Sequence, residues 1–233
     1  MSDLLTTFRW SFSQWEAYNQ CPAKWKFQSV LKLPRKPPGP AAFRGLQMHK
    51  TVEKFIEGEH GTEGLHEDIK PKYIPILVEF REHTNGDRYV EKKLAFDHEW
   101  YPCSPRSEYA ACVAVLDAVR FTKKTGADSG LLHIGEWKSG KPKDTHRDQR
   151  SLYAMFGMRN WHADRVEVTT HYLEGTSESQ RLILESESGF QKLKNQWQSR
   201  IDTMHNDQMC APRPGFHCRW CDYNKADGGP CIF

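Results

Sequence analysis

The sequence predicts an α/β fold in which a mixed sheet is flanked by helices, and three observations favour this class. Apolar positions recur at helical or strand spacing in the order helix, three strands, helix, strand, helix. Segments rich in Gly and Pro separate these runs, and neither an internal repeat nor a low-complexity tract interrupts them. The length of 233 residues suits one large domain with its own core, so we expect residues 1–233 to form a single domain.

The helices of the first part of the chain are predicted from their starts and their periodicity. In "SFSQWEAYNQCP", Ser13 stands three residues before Glu16, which is capping-box spacing, and Pro22 ends this helix or opens the next. "PRKPPGPAAF" (34–43) is predicted to be a loop. "RGLQMHKTVEKFIEG" (44–58) and "KPKYIPILVEFREH" are predicted to be helices.

The predicted sheet follows. Its strands are "RYVEKKLAFDHEW", "AACVAVLDAVRF", "GLLHIGEWK" and, after the helical segment "DQRSLYAMFGMRNW", "DRVEVTTHYLEG". The segment from Glu187 to Met209 is again helical, and the tail "CAPRPGFHCRWCDYNKADGGPCIF" is rich in Cys, Pro and Gly.

The composition is that of a globular protein, with 38% apolar residues, 27% charged residues and a net charge of +3. This total identifies no partner, but the segment from Lys24 to Lys54 holds eight basic residues against one acid, Glu53. Such a block either binds phosphate or is a solvated positive surface.

The sequence contains no apolar stretch approaching the ~20 residues of a membrane span. Its start, "MSDLLTTFRWSFS", lacks the basic-then-apolar layout of a secretory signal peptide. We therefore expect a cytoplasmic protein with no membrane partner, in which the seven cysteines stay reduced.

Two carboxylates and a lysine fall on neighbouring predicted strands. In "LHIGEWKSGKP", Glu136 and Lys138 are two positions apart and share a strand face, with Trp137 on the other face. Asp117 lies in the apolar run before them, where a lone carboxylate is costly unless it is paired or binds a metal. Such a set suits Mg²⁺, whose shell a substrate phosphate completes. The alternatives are an edge-strand Glu–Lys salt bridge and a pairing of Asp117 with Arg120 or Lys138.

This ordered set resembles the PD-(D/E)XK nuclease superfamily, and within it the RecB/AddB-type branch that includes CRISPR-associated RecB-like exonucleases. Members of that branch carry a histidine after a glycine on an early helix, a strand-ending Asp, a (D/E)-x-K strand and a Gln-x-x-x-Tyr helix. The matching segments here are "GLQMHKTVEKF", "AVLD", "EWK" and "QRSLY", with Ala114 in place of the usual glycine of Gly-x-x-Asp. The resemblance implies a restriction-endonuclease-like core with a central mixed sheet.

The resemblance also implies roles for the matching residues. His49, Asp117 and Glu136 would hold Mg²⁺ or Mn²⁺, together with the backbone carbonyl of Trp137, and Lys138 would position the attacking water. The implied activity is that of a DNA exonuclease, in which water attacks phosphorus in line and the 3′ oxygen leaves. DNA recombination, repair, or processing of phage or CRISPR DNA would be its setting. Strand polarity and oligomeric state stay open, and a homo-oligomer is compatible with the sequence.

Gln149 and Tyr153 complete the implied site. Their i, i+4 spacing puts them on one helix face. The resemblance implies that they steady the site or contact the DNA backbone, although a solvent-facing glutamine and a core tyrosine have the same spacing.

The cysteines of the tail predict a second metal site. Cys218 and Cys221 form a Cys-x-x-Cys pair, with Cys231 ten residues beyond, and such a pair in a reducing compartment indicates a metal rather than a disulfide. Spacing alone favours Cys210 as the fourth thiolate, in a local Cys₄ zinc site. The resemblance favours Cys21, because iron–sulfur members of the branch hold a [4Fe–4S] cluster with one N-terminal and three C-terminal cysteines. We therefore expect residues 11–35 and 205–233 to form an iron–sulfur subdomain.

The aromatics around Cys21 allow two interpretations. Trp15, Tyr18, Trp25 and Phe27 alternate with basic residues and would either stack on single-stranded bases or pack in a core.

Two other function classes remain open. A non-catalytic nucleic-acid-binding module with a Cys₄ zinc site would keep the basic segment and the tail without needing Asp117 or Glu136. A RecB-like fold could also serve only as a scaffold for a partner, but every catalytic position is filled in this chain.

Overall fold

The computed structural model describes residues 9–123 and 130–233, and the chain divides into two compact units. The core unit is Gly39–Lys194, and the terminal unit combines Met1–Pro38 with Asn195–Phe233. Both segments that we expect to form an iron–sulfur subdomain lie in the terminal unit.

Helices and strands are numbered separately in chain order. The α-helices are α1 (Phe12–Gln20), α2 (Pro22–Trp25), α3 (Pro40–Glu57), α4 (Ile74–Arg81), α5 (Thr145–Trp161) and α6 (Glu187–Asn206). The strands are β1 (Trp10–Ser11), β2 (Gly86–Phe96), β3 (Pro102–Cys103), β4 (Cys112–Thr122), β5 (Leu131–Lys138), β6 (Arg165–Tyr172) and β7 (Gln180–Leu184). A π-helical turn, Lys26–Val30, follows α2, and short 3₁₀ turns cover Thr62–Gly64, Pro71–Tyr73, Phe216–Trp220 and Lys225–Asp227.

A mixed sheet forms the centre of the core unit, with the strand order β3-β2-β4-β5-β6-β7. Strand β5 runs parallel to β6, and the other neighbouring pairs on this path are antiparallel. The parallel pair is joined by α5, because parallel neighbours need a crossover that an antiparallel hairpin does not. The predicted α/β fold with a mixed sheet between helices is confirmed.

Helices α3 and α4 cover one face of this sheet through a buried apolar cluster. Phe80 of α4 packs edge-on against Trp137 of β5, with ring centroids 5.5 Å apart. The cluster also contains Met48, Val52, Phe55, Ile56, Ile69, Tyr73, Leu77, Ala118 and Leu173. Burial of this many large side chains from water is the main force that holds the helices to the sheet.

Helix α5 packs against the opposite face. A Cβ atom at Gly157 would lie 2.6 Å from Leu132 Cδ2 and 2.8 Å from Val166 Cγ1, so the missing side chain permits this close approach of helix and sheet. The rings of Phe156 and Phe96 stack with centroids 4.2 Å apart.

The terminal unit has an aromatic core of its own. Trp197 stacks on Trp10 at 5.6 Å and meets Trp15 edge-on at 4.9 Å between centroids. Tyr18 packs edge-on against Trp25 at 5.6 Å and donates a hydrogen bond from Oη to Asp207 Oδ2 at 2.9 Å.

The aromatics near Cys21 therefore pack rather than present free stacking faces. Trp15, Tyr18 and Trp25 are buried, and Phe27 packs against Tyr223 with centroids 5.5 Å apart.

Some local predictions were wrong, each for an identifiable reason. Ser11, not Ser13, caps α1, and it does so without a side-chain bond to the helix. Residues 40–43 open α3 instead of belonging to a loop, since Pro40 occupies the first helical turn, where its fixed φ is favourable. Pro22 opens α2, which is one of the two roles that the sequence predicted for it. The short strands β3 and β7 have too few residues to show a period.

In residues 9–123 and 130–233, no helix is both long enough and apolar enough to cross a bilayer.

Candidate active site

The pairing of β4 with β5 brings the two predicted carboxylates together. The register continues to Ala118 opposite Gly135, and the next residues along the two strands are Asp117 and Glu136. The peptide N–H of Trp137 donates a hydrogen bond of 2.8 Å to Asp117 Oδ2, which orients that carboxylate. The two acids are far apart in sequence and adjacent only because of this strand pairing.

Glu136 is the most deeply buried member of the set, with 3% of the residue exposed. Its Oε1 accepts hydrogen bonds from Lys138 Nζ at 2.6 Å and from Gln149 Nε2 at 2.8 Å. Its Oε2 is buried with no hydrogen-bond partner within the part of the chain that the structure describes. An unpartnered carboxylate oxygen in a low-dielectric place is costly, and a cation is the ligand that would satisfy it.

The electrostatics of Asp117 also favour a cation at this site. Burial, and then the charge of Glu136, raise the pKa of the Asp117 carboxyl well above its ordinary value. Lys138 and the Trp137 amide act in the opposite direction without cancelling these effects. Two like charges held together in a buried place are a common sign of a functional site.

His49 reaches the carboxylates from α3. Its Nδ1 lies 3.7 Å from Asp117 Oδ2, and 32% of its side chain is exposed. Burial lowers the pKa of this histidine, so that the neutral imidazole, the form that binds metals, is favoured. Gly45, one turn earlier, lets α3 approach the loop after β5, because a Cβ there would lie 2.7 Å from Ser139 Oγ.

The helix α5 supplies Gln149 and Tyr153. Both are buried, and Gln149 Nε2 also donates to Tyr153 Oη at 3.0 Å. Burial, with the charges of Glu136 and Asp117, raises the pKa of the Tyr153 phenol, which therefore stays neutral. Trp137 contributes only its backbone to this side of the sheet, since its ring packs on Phe80 in the opposite layer.

Asp117 and Lys138 line a cleft whose wall also carries residues that the sequence pattern did not single out. Lys141, Lys143 and His146 line it from the loop after β5 and the start of α5, and Glu53 and Glu91 line it from α3 and β2. The register of β2 with β4 is the same on both sides of Glu91, which stands opposite Asp117 and has a φ of +48°. A positive φ is uncommon for a residue other than glycine, and a sequence pattern does not reveal it.

The basic residues of the segment from Lys24 to Lys54 are divided between the two units. Its first five basic residues belong to the terminal unit and the last three to the core unit. Lys36 pairs with Asp227 at 2.6 Å, and Lys50 pairs with Glu53 at 2.6 Å.

The four cysteines assigned to a cluster line one pocket of the terminal unit: Cys21, Cys218, Cys221 and Cys231. Backbone N–H groups of Arg213 and Gly215 lie 3.4 Å from the sulfurs of Cys21 and Cys218.

Cys210 lies outside the set of residues that line this pocket. Its Sγ donates to the carbonyl oxygen of Asp207 at 3.0 Å. Within the terminal unit, the placement thus favours Cys21 over Cys210 as the companion of the tail cysteines.

The carboxylate site and the cysteine pocket each contain the donor atoms that a metal group needs, but their side chains are not arranged around a common point. In residues 9–123 and 130–233, no three His, Cys, Asp or Glu groups converge as a ligand set. The carboxylates with their unpartnered oxygen suit a hard divalent cation, and four thiols around one pocket suit iron–sulfur or zinc.

Comparisons with known proteins place the chain in a family. Three solved structures show a distant similarity, each at 12% sequence identity. The structure of SSO0001 matches 91% of this chain and 82% of its own, with a TM-score of 0.43. LHK-Exo in complex with dAMP matches 86% of this chain and 88% of its own, with a TM-score of 0.40, and a candidate exonuclease from Eubacterium rectale matches 93% and 88%, with a TM-score of 0.45. A search of curated proteins found no match. The family model of the PD-(D/E)XK nuclease superfamily, however, matches residues 9–226, so the chain belongs to that superfamily.

Proposed function

We propose that this protein is a metal-dependent DNA exonuclease. One observation carries the proposal: Asp117 and Glu136 meet at the end of a strand pair beside Lys138, and a buried oxygen of Glu136 has no partner in the described residues. Membership of a nuclease superfamily supports hydrolysis of a nucleic acid. The proposal goes further than this in two respects: the nucleic acid is DNA, and cleavage starts from an end.

His49, Asp117, Glu136 and the carbonyl of Trp137 would hold Mg²⁺ or Mn²⁺. Bound there, the ion would polarise a phosphoryl oxygen and lower the pKa of a water.

The chain's own groups prepare the substrate. Lys138, whose Nζ lies beside Glu136, is placed to orient the attacking water and to stabilise charge that develops on the phosphate. Gln149 donates a hydrogen bond to Glu136 and orients it, and Gln149 is in turn hydrogen-bonded to Tyr153. Lys141 and Lys143, on the cleft wall, would attract the phosphate backbone.

We also propose that Cys21, Cys218, Cys221 and Cys231 hold a structural [4Fe–4S] cluster. They come from both ends of the chain and line one pocket, so a cluster would tie these ends together within the terminal unit. A local zinc site through Cys210 has less support, because that thiol lies elsewhere.

The proposed setting is DNA recombination, repair or the processing of phage or CRISPR DNA in the cytoplasm. Linear DNA, single- or double-stranded with a free end, would be the substrate, and a homo-oligomer is compatible with it.

The test compares wild type with Asp117→Asn and Glu136→Gln on linear DNA labelled separately at each end, with Mn²⁺ or Mg²⁺ added. We expect wild type to release label and both variants to lose at least a thousandfold in rate. Closed circular DNA should survive if the enzyme acts from ends, and the label lost first gives the direction.

Glu178→Gln is the matched control, because the Glu178 side chain is 90% exposed and forms a surface salt bridge with Lys72. The proposal fails if wild type cuts no nucleic acid with either ion, or if Glu136→Gln cuts as fast as Glu178→Gln. Cleavage of RNA alone would overturn the choice of DNA.

A further inference from the structure

Two aromatic rings of the terminal unit are exposed to solvent beside the cysteine pair. Phe216 and Trp220 open and close the 3₁₀ turn Phe216–Trp220, and they are 67% and 69% exposed. Their ring centroids lie 4.8 Å apart at an interplanar angle of 76°. Exposing two large aromatic side chains together costs hydrophobic free energy, so such a pair indicates a binding surface.

A cation accompanies the rings. The guanidinium of Arg219 lies 4.7 Å from the centroid of Phe216. Aromatic rings and guanidinium planes are the groups on which proteins stack unpaired bases, and the charge of the guanidinium also attracts phosphate.

The turn that carries these side chains is held by local hydrogen bonds. The N–H of Cys218 donates to Gly215 O at 3.0 Å, and the N–H of Cys221 donates to Cys218 O at 3.2 Å. Asn224 Nδ2 donates to the same Cys218 oxygen at 3.2 Å. Because the backbone between the rings is already ordered, little conformational entropy is lost when a ligand binds.

The net positive charge of the protein lies in the terminal unit. The terminal unit carries ten Lys or Arg against six Asp or Glu, whereas the core unit carries 23 against 24, within chain totals of 33 and 30. A net charge of +4 over the smaller unit favours a polyanion as the ligand and disfavours an apolar or basic protein surface.

We propose that Phe216, Arg219 and Trp220 form a stacking platform for the unpaired bases of single-stranded nucleic acid. This inference rests on one part of the proposed function, namely that the protein binds nucleic acid. Paired bases hide their faces in the duplex stack, so the platform would distinguish single strands and frayed ends from intact duplex.

The experiment measures binding without cleavage. The full-length Asp117→Asn protein, with no divalent ion added, is titrated against a labelled oligothymidine, an abasic strand of equal length and a duplex, by fluorescence polarisation. We expect the oligothymidine to bind about ten- to a hundredfold tighter than the abasic strand, which has the same phosphates but no bases.

Three variants in the same background identify the rings as the cause. Two double variants remove the rings: Phe216→Ala/Trp220→Ala and Phe216→Leu/Trp220→Leu. Each should bind the oligothymidine as weakly as the parent protein binds the abasic strand. The Leu variant would show that apolar area without an aromatic face is insufficient. Tyr101→Ala/Tyr109→Ala is the control, since each of these rings is 67% exposed in the core unit. Unchanged circular dichroism and melting temperature verify that each variant folds.

The platform is refuted if the Ala pair keeps the preference for oligothymidine over the abasic strand. It is also refuted if both affinities fall by the same factor, or if the Ala pair changes only self-association in sedimentation, which would assign the rings to a protein contact. Because no arm requires cleavage, a failed nuclease assay leaves this result interpretable, and a failed binding assay leaves the catalytic proposal standing.

Discussion

Gln149 on α5 and Glu136 on β5 are joined by a buried hydrogen bond of 2.8 Å from Nε2 to Oε1. The bond links a helix on one face of the sheet to the carboxylate proposed to hold a metal. It leaves Oε2 of Glu136 as the atom without a partner in the described residues. The helix therefore sets which carboxylate oxygen is available to a ligand.

Replacing Gln149 by Leu should slow cleavage about ten- to a hundredfold, since a hydrogen bond to a charged group contributes about 1.5–3 kcal/mol. Gln149 acts through Glu136, so the Mn²⁺ concentration for half-maximal rate should also rise. Initial rates over a Mn²⁺ series measure both effects. Gln149→Glu should be worse, because it adds a third carboxylate. A wild-type rate and Mn²⁺ response for Gln149→Leu would contradict the positioning role.

Asp117→Asn should stabilise the metal-free protein while it abolishes activity. Burial and Glu136 raise the pKa of Asp117, so the folded state favours its protonated form, and wild-type stability falls as pH rises through this range. Asn carries no charge and retains an acceptor for the Trp137 amide. We expect a melting temperature a few degrees higher at pH 7.5, on the scale of about 1 kcal/mol.

Differential scanning calorimetry in the absence of divalent ions measures this difference. Added Mn²⁺ should then raise the melting temperature of wild type and leave Asp117→Asn unchanged. A lower melting temperature for Asp117→Asn at pH 7.5 would contradict the prediction that the charge of Asp117 beside Glu136 destabilises the metal-free protein.

His171 should make the fold acid-sensitive. Burial lowers its pKa from 6.5 to about 4, and its ring stacks on Trp137 at 5.1 Å and bonds to Ser179 Oγ at 2.9 Å. Because the unfolded chain binds the proton first, stability is retained above pH 6.5 and lost as pH falls toward 4. The loss is on the order of 3 kcal/mol at most.

Urea unfolding at pH 7.5 and pH 4.5, for wild type and His171→Gln, tests this prediction. Gln keeps a partner for Ser179 and does not titrate, so the variant should lose less stability between the two pH values. All other groups titrate in both proteins and cancel in the comparison. Equal losses would show that His171 is not the sensitive group.

Cys21→Ser should remove the cluster, whereas Cys210→Ser should not. Of these two cysteines, Cys21 lines the pocket with the tail cysteines and Cys210 does not. Iron, sulfide and zinc contents of anaerobically purified proteins, together with visible absorbance, measure the outcome. Iron and sulfide in wild type and in Cys210→Ser, but not in Cys21→Ser, are expected. Zinc in all three proteins would refute the iron–sulfur proposal and indicate a zinc site instead.

Periodicity was a sound guide for the long elements and a poor one for the short ones. The apolar runs of β4 and β5 and the helical repeats of α3 and α5 are each long enough to establish a period. The five residues of β7 are not, and their pairing with β6 comes from tertiary contacts. Helix α3 also starts earlier than its periodic run, because Pro40 favours a first turn without adding an apolar position.

The chemical types of the site can be read from the residues alone: acids at 117 and 136, a lysine two residues after the second acid, and cysteines at both ends of the chain. Tertiary structure alone decided which of these meet. Strand register put Asp117 next to Glu136, and packing of α5 made Gln149 a partner of Glu136. The fold also placed Glu91, with its positive φ, in the lining of the cleft. It also buried the aromatics near Cys21 and exposed Phe216 and Trp220. The physical reason is that side-chain chemistry is local, whereas register, burial and proximity depend on contacts between residues far apart in the chain.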